Sequence, residues 1–77
     1  MKELNSIADV RIEDMGFTVR TYNSLRRAGV MSLGDIAARS FRDLLRVRNL
    51  GSSGAREVME KAHGYGVRLK DEELQQP

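Results

Sequence analysis

Between residues 17 and 66, apolar positions recur every three or four residues, and no stretch alternates strictly enough for a strand. The first such run is Val19, Tyr22 and Leu25. It follows Thr18, whose hydroxyl can accept a hydrogen bond from a first-turn amide, and it ends at Gly29, which can adopt a left-handed stop. This predicts a helix over Val19–Ala28 with those three residues facing the core. Arg20, Asn23, Ser24 and Arg27 fall at i, i+3, i+4 and i+7, so they share a second, polar face. Ser32 followed by Asp35, and Ser40 followed by Asp43, have the spacing of capping boxes. They predict short helices over about Leu33–Arg39 and from Phe41 through Leu44 and Leu45. After the connector Val47-Arg48-Asn49-Leu50-Gly51, the stripe Ala55, Val58, Met59, Ala62 predicts a last helix over about Ser53–His63, ended by Gly64 and Gly66.

The expected fold is therefore all-α: a compact bundle of four to five short helices. A short helix, a tight turn and a second short helix occur twice, with AGVMSLGD and RNLGSSGA as the turns, which is the pattern of two helix-hairpin-helix units. Residues 1–10 are expected as a lead-in, 11–70 as the domain and 71–77, DEELQQP, as an acidic, frayed tail.

Composition narrows the function classes. A chain of 77 residues buries only about 60% of its unfolded surface, enough for a core but not for a core plus a deep substrate cavity. No cysteine is present, which excludes disulfides and thiolate metal sites, and His63 is the lone histidine. No calcium-loop motif occurs. No apolar run approaches the roughly 18 residues of a membrane span, and Met1–Val10 holds no hydrophobic signal core. A cytoplasmic protein without cofactor or metal is expected. No Ser/His/Asp set or carboxylate pair has motif support, so no catalytic residue is assigned. His63 reads as a surface residue near a helix C-terminus. Met15, Met31 and Met59 read as core filler, and Tyr65 as packing at a chain reversal.

The net charge of +2 hides an uneven distribution. From Phe17 to Arg56, eight arginines stand against Asp35 and Asp43, a local charge of +6. Ten of the 13 basic residues are arginine, the side chain best shaped to fork onto phosphate. A solvated helical surface would account for the charge equally well. The turn Asn49–Gly54 sits directly before a helix, where the first amides have no internal partner and carry the positive end of the dipole. Such a turn can hold a phosphate, although many helix starts meet only water. Beside it, Arg20 and Arg27 could reach phosphates or a groove edge, and Asn23 could offer a donor and an acceptor to a base. The alternative is a solvent face with Asn23 buried to pin the next turn.

The segments Thr18-Val19-Arg20-Thr21-Tyr22-Asn23-Ser24-Leu25, Arg27-Ala28-Gly29-Val30 and Val47-Arg48-Asn49-Leu50-Gly51 occur here at the spacing of a known family. From Ile12 to Leu69 the chain resembles the C-terminal domain of the bacterial RNA polymerase alpha subunit. The resemblance implies a non-catalytic helical domain that binds double-stranded DNA in the minor groove of A/T-rich promoter-upstream sequence. It also implies RNA polymerase, sigma factor and transcription activators or regulators as partners, and a nucleoid-associated location. By that resemblance Arg20 enters the groove, Asn23 supports groove and backbone contacts, Gly51 presents its amide to a phosphate, and Ser24 stands at the DNA surface. Glu13 and Asp14 match an acidic sigma-facing patch.

The sequence also departs from the family pattern. Ser53 stands where a DNA-contacting lysine is usual and Gly54 where a DNA-contacting serine is usual, while Arg56, one turn on, could compensate. Gly16 replaces a residue that is commonly acidic or polar in the sigma-facing patch. Phe41 and Arg42 occupy a surface that elsewhere carries Thr/Glu-type residues facing activators. Two functional expectations follow: a DNA-binding and factor-binding module, or a protein-interaction adaptor in which DNA affinity has weakened or been lost. Two origins stay open as well, a piece of a full alpha subunit or a free-standing copy, and the missing basic pair leans toward the second.

Overall fold

Three hydroxyl caps set where the helices begin. The structure, a computed structural model, describes residues 7–74, so the expectations for 1–6 and 75–77 lie outside the described residues. Thr18 Oγ1 accepts from the Thr21 amide at 3.4 Å and opens α1, Val19–Arg27. Ser32 Oγ accepts from the Asp35 amide at 3.2 Å and opens α2, Leu33–Ala37. Ser40 and Asp43 form a complete capping box at the start of α3, Phe41–Leu45, with bonds of 3.0 and 3.1 Å. The Ser32 box is half formed, because Asp35 turns its carboxylate to the Met31 amide instead, at 2.9 Å. Then follow α4, Gly51–Gly64, and α5, Lys70–Leu74. Both longer helices end in the same way. Gly29 (φ 80°) and Gly66 (φ 78°) take the left-handed position, and the next amides, of Val30 and Val67, reach back to the carbonyls of Leu25 and Ala62.

The fold class is as expected, all-α, with α1 followed by α2 and α3 followed by α4 in the order of the two expected helix-hairpin-helix units. The core is one cluster. Leu25, Val30, Leu33, Ile36, Leu44, Ala55, Val58, Ala62 and Leu69 have no exposed surface, and Ile12, Met15 and Leu50 are nearly as buried. The residues ahead of α1 join it as well. Two 3-10 turns, Ile7–Asp9 and Ile12–Asp14, flank an isolated bridge between Arg11 and Ser32, with Ile12 N–H bonded to the Met31 carbonyl and Leu33 N–H to that of Val10.

Five local expectations differ from the structure. Val19 is 75% exposed, not in the core. The buried side of α1 is Thr21, Ser24 and Leu25, and Thr21 meets α4 beside Gly54 and at Glu57. Met31 is exposed, whereas Met15 is core and Met59 packs against it. The last long helix starts at Gly51 rather than Ser53, and the helix after Ser32 stops at Ala37, short of Arg39. Residues 71–74, expected to fray, belong to α5. There Lys70 N–H bonds to the Arg39 carbonyl, Asp71 accepts from the Phe41 amide at 2.9 Å, and Glu72 caps Leu69 N–H at 2.8 Å.

Candidate nucleic-acid interface

The polar face of α1 and the turn before α4 meet at one hydrogen bond. Arg20 Nε donates to the Asn49 carbonyl at 3.2 Å, across 29 positions of sequence. Arg20, Asn23, Ser24, Arg27 and Asn49 line a shallow hollow of about 280 Å³. A second hollow of about 280 Å³ shares Ser24 and Arg27 and adds Ala28, Val47 and Arg48. Asn23 is exposed, which removes the reading in which it is buried to pin a turn.

The start of α4 is open. Leu50 occupies its cap position without a side-chain cap bond, and among the described residues no side chain is bonded to its first amides. Gly51 takes φ 71°, a left-handed value that a residue with a Cβ resists. Ser52, Ser53 and Arg56 are exposed on the same end of the helix. Uncapped amides, a positive dipole end and nearby guanidinium groups together form a surface suited to a polyanion.

The start of α1 is closed. Glu57 of α4 accepts from Thr18 N–H (2.8 Å), Thr18 Oγ1 (3.2 Å) and Thr21 Oγ1 (2.6 Å). Burial opposes ionisation of Glu57, but the hydrogen bonds from Thr21 and Thr18, with a smaller contribution from Lys61, outweigh it and hold the carboxyl below its ordinary range. Glu57 thereby fixes the angle at which α1 presents Arg20, Asn23 and Arg27. Sequence reading missed this residue. The signal that could have found it is its place one turn after Gly54, on the side of α4 that meets the Thr18 cap.

Of the eight residues expected at the interface, Arg20, Asn23, Arg27, Gly51, Ser53 and Arg56 are exposed, while Ser24 and Gly54 are buried. Ser24 still lines both hollows. Gly54 lies beneath Leu50, and a Cβ added there would stand 2.8 Å from Leu50 Cδ1 and 2.9 Å from Cγ. The glycine is therefore tied to the packing of Leu50.

The expected protein-contact residues, Glu13 and Asp14, are exposed on the second 3-10 turn. Glu13 is paired with Arg11 at 3.0 Å. Its own amide and the Arg11 side chain keep it ionised below the ordinary glutamate range. Beside them Ile12, Glu13, Gly16, Phe17, Val19 and Tyr22 line a hollow of about 320 Å³. The Arg26 guanidinium lies over the Tyr22 ring, 5.8 Å from its centre. Among the described residues no three His, Asp or Glu side chains gather as a metal site, and no helix is long and apolar enough to cross a membrane.

Residues 1–63 match the family described as the C-terminal domain of the bacterial RNA polymerase alpha chain. The DNA-directed RNA polymerase subunit alpha of Beutenbergia cavernae is 47% identical over 60 residues, covering 78% of this chain and 18% of that protein. Its counterpart from Carboxydothermus hydrogenoformans is 39% identical over 67 residues, covering 87% of this chain and 21% of that one. The chain thus spans about a fifth of the length of these relatives. The NMR structure of the C-terminal domain of the RNA polymerase alpha subunit from Helicobacter pylori superposes with a TM-score of 0.73 at 27% identity, over 82% of this chain and 55% of that one. A matched family, close relatives and a shared helical fold agree, and the protein belongs to the family formed by the C-terminal domain of the bacterial RNA polymerase alpha chain.

Proposed function

We propose that this domain is a non-catalytic transcription module of RNA polymerase that binds the minor groove of A/T-rich promoter-upstream DNA and contacts sigma factor or a transcription regulator. The observation that carries the reading is the Arg20–Asn49 bond, which joins the polar face of α1 to the open start of α4 in one surface. A narrow A/T minor groove concentrates negative potential and attracts arginine. Arg20 enters the groove, Asn23 and Arg27 flank it, Ser24 lines the hollow beneath, and the Gly51 turn with Ser53 and Arg56 receives a backbone phosphate. Glu13 and Asp14 form the protein-contact edge. The setting is cytoplasmic, at the nucleoid.

The test is a titration of the ¹⁵N-labelled domain with an A/T-rich duplex at low salt. Shifts concentrated at Arg20, Asn23, Ser24 and Gly51 are expected, with a dissociation constant near 10⁻⁴–10⁻⁶ M that weakens as salt rises. Arg20→Ala should fold normally, since the residue is exposed, and lose most of the binding. No response at those residues would refute the reading.

Ser53 and Gly54 favour one second reading, an adaptor for the transcription machinery with weak or lost DNA binding. It requires that sigma factor or a regulator be retained by the domain while duplex DNA is not.

A further inference from the structure

Asn49 has φ 67° and is the one non-glycine residue with positive φ among the described residues. Gly51 follows at φ 71°, and between them the buried Leu50 keeps an ordinary right-handed conformation, φ −86° and ψ −48°. The left-handed region is disfavoured for residues with a Cβ, and asparagine is among the few that tolerate it. The conformation at position 49 sets where its carbonyl points, and that carbonyl receives the Arg20 Nε–H. Nε is the inner nitrogen of the guanidinium. A bond there fixes the plane of the group and leaves the two terminal nitrogens for an outside partner. A long side chain held this way gives up less rotamer freedom when it binds.

We propose that Asn49 is a positioning residue for Arg20, acting through its left-handed backbone rather than through its side-chain amide. The inference rests on the reading of Arg20 as the groove-entering residue and names what aims it. Two features set this apart from a simple turn. The turn is already closed elsewhere, by Leu50 N–H on the Val47 carbonyl at 3.2 Å and by burial of Leu50. The carbonyl that the left-handed twist turns outward then meets α1 at the arginine and not at a backbone amide.

Asn49→Gly and Asn49→Ala separate the roles. Glycine keeps the left-handed conformation and discards the amide, while alanine discards both. Each variant, made in the full-length protein, is compared with wild type and Arg20→Ala by three readouts: the Arg20 Nε–H signal of the free protein in ¹H–¹⁵N spectra, affinity for an A/T-rich duplex, and the thermal midpoint. In wild type and Asn49→Gly the Nε–H signal should be distinct and protected from solvent exchange, and Asn49→Gly should bind the duplex more tightly than Asn49→Ala. In Asn49→Ala the signal should collapse to the value of a solvated arginine, with affinity falling about tenfold and the far-UV circular dichroism unchanged. A protected Nε–H in Asn49→Ala would overturn the proposal. So would equal loss of DNA affinity in both variants with the Nε–H intact in Asn49→Gly, which would assign the role to the amide. Should Arg20→Ala bind DNA like wild type, the DNA reading fails, and the Nε–H signal of the free protein still decides whether Asn49 aims Arg20.

Discussion

The Thr21 hydroxyl on α1 donates to the Glu57 carboxylate on α4 at 2.6 Å, 36 residues away in sequence. With the two bonds from Thr18, the same carboxylate serves as the anion at the start of α1. The two helix starts on this side of the domain thus differ: α1 is satisfied from within, whereas α4 has no side-chain cap among the described residues.

Removing that carboxylate should loosen the joint between the helices. Glu57→Ala is expected to lower stability by roughly 1–3 kcal/mol, from charge-assisted bonds to Thr18 and Thr21 at a half-buried site. Denaturant unfolding measures it. DNA affinity should fall as well, because α1 loses its fixed angle. The pH dependence has a definite sign. Glu57 is held below its ordinary range in the folded state, so its stabilisation is complete above the unfolded value of about 4.3 and is lost as pH falls through the lower folded value. Thermal midpoints should decline in acid below about pH 4.5, and Glu57→Gln should flatten that decline. Glu72 shifts in the same direction. There burial opposes ionisation and bonds from His63 and Leu69 N–H outweigh it, so part of the slope should survive the substitution.

Ser53 is exposed beside the open start of α4. Ser53→Lys adds a cation without entering the core. It should strengthen duplex binding and steepen the plot of log affinity against log salt by about 0.9, the value for one more phosphate contact. A slope that stays unchanged would mean that position 53 does not meet a phosphate.

Gly54→Ser should behave in the opposite way. A Cβ at this position would lie 2.8 Å from Leu50 Cδ1, so the leucine side chain must shift to admit it. The expected cost is about 1–3 kcal/mol, as for overpacking elsewhere, with no gain in DNA affinity. Leu50→Ala should cost roughly 2–5 kcal/mol by leaving a cavity. Because the two residues compete for one space, the double variant should lose less than the two single variants together, a coupling that urea titrations can measure.

Asp71 accepts from the Phe41 amide, which is one of the unpartnered N–H groups at the start of α3. Asp71→Ala is therefore expected to cost about 1 kcal/mol, the usual value of a lost cap. Amide exchange at Phe41 should accelerate more than exchange in the middle of α4.

The parts of this fold that were legible in the sequence are those decided within a few residues. Thr18, Ser32 and Ser40 bond to amides three positions on, and Gly29 closes the turn it occupies, so each could be read from a short window. Val19 could not, because hydropathy assigns it inward. What sends it outward is the seat of Thr21 against α4 and the pull of Glu57 on the hydroxyls of Thr18 and Thr21. The same applies to α5. Asp71-Glu72 reads as the start of an acidic tail until Phe41, 30 residues back, and His63 supply partners. At the candidate interface the residue types were readable, but the bond that unites them runs from a side chain to a backbone carbonyl, and no pattern of side chains encodes it. Gly54 stood out as a departure from the family motif, and only the position of Leu50 reveals a packing reason for it.

Leu69 has no exposed surface, yet it lies six residues beyond the end of the family match at residue 63. The stretch matched by the family model is therefore shorter than the packed core. A fragment trimmed to the edge of the match would lack a core leucine, the partner of His63 and the cap of α3 together. Any fusion or truncation should therefore leave the protein intact through Leu74.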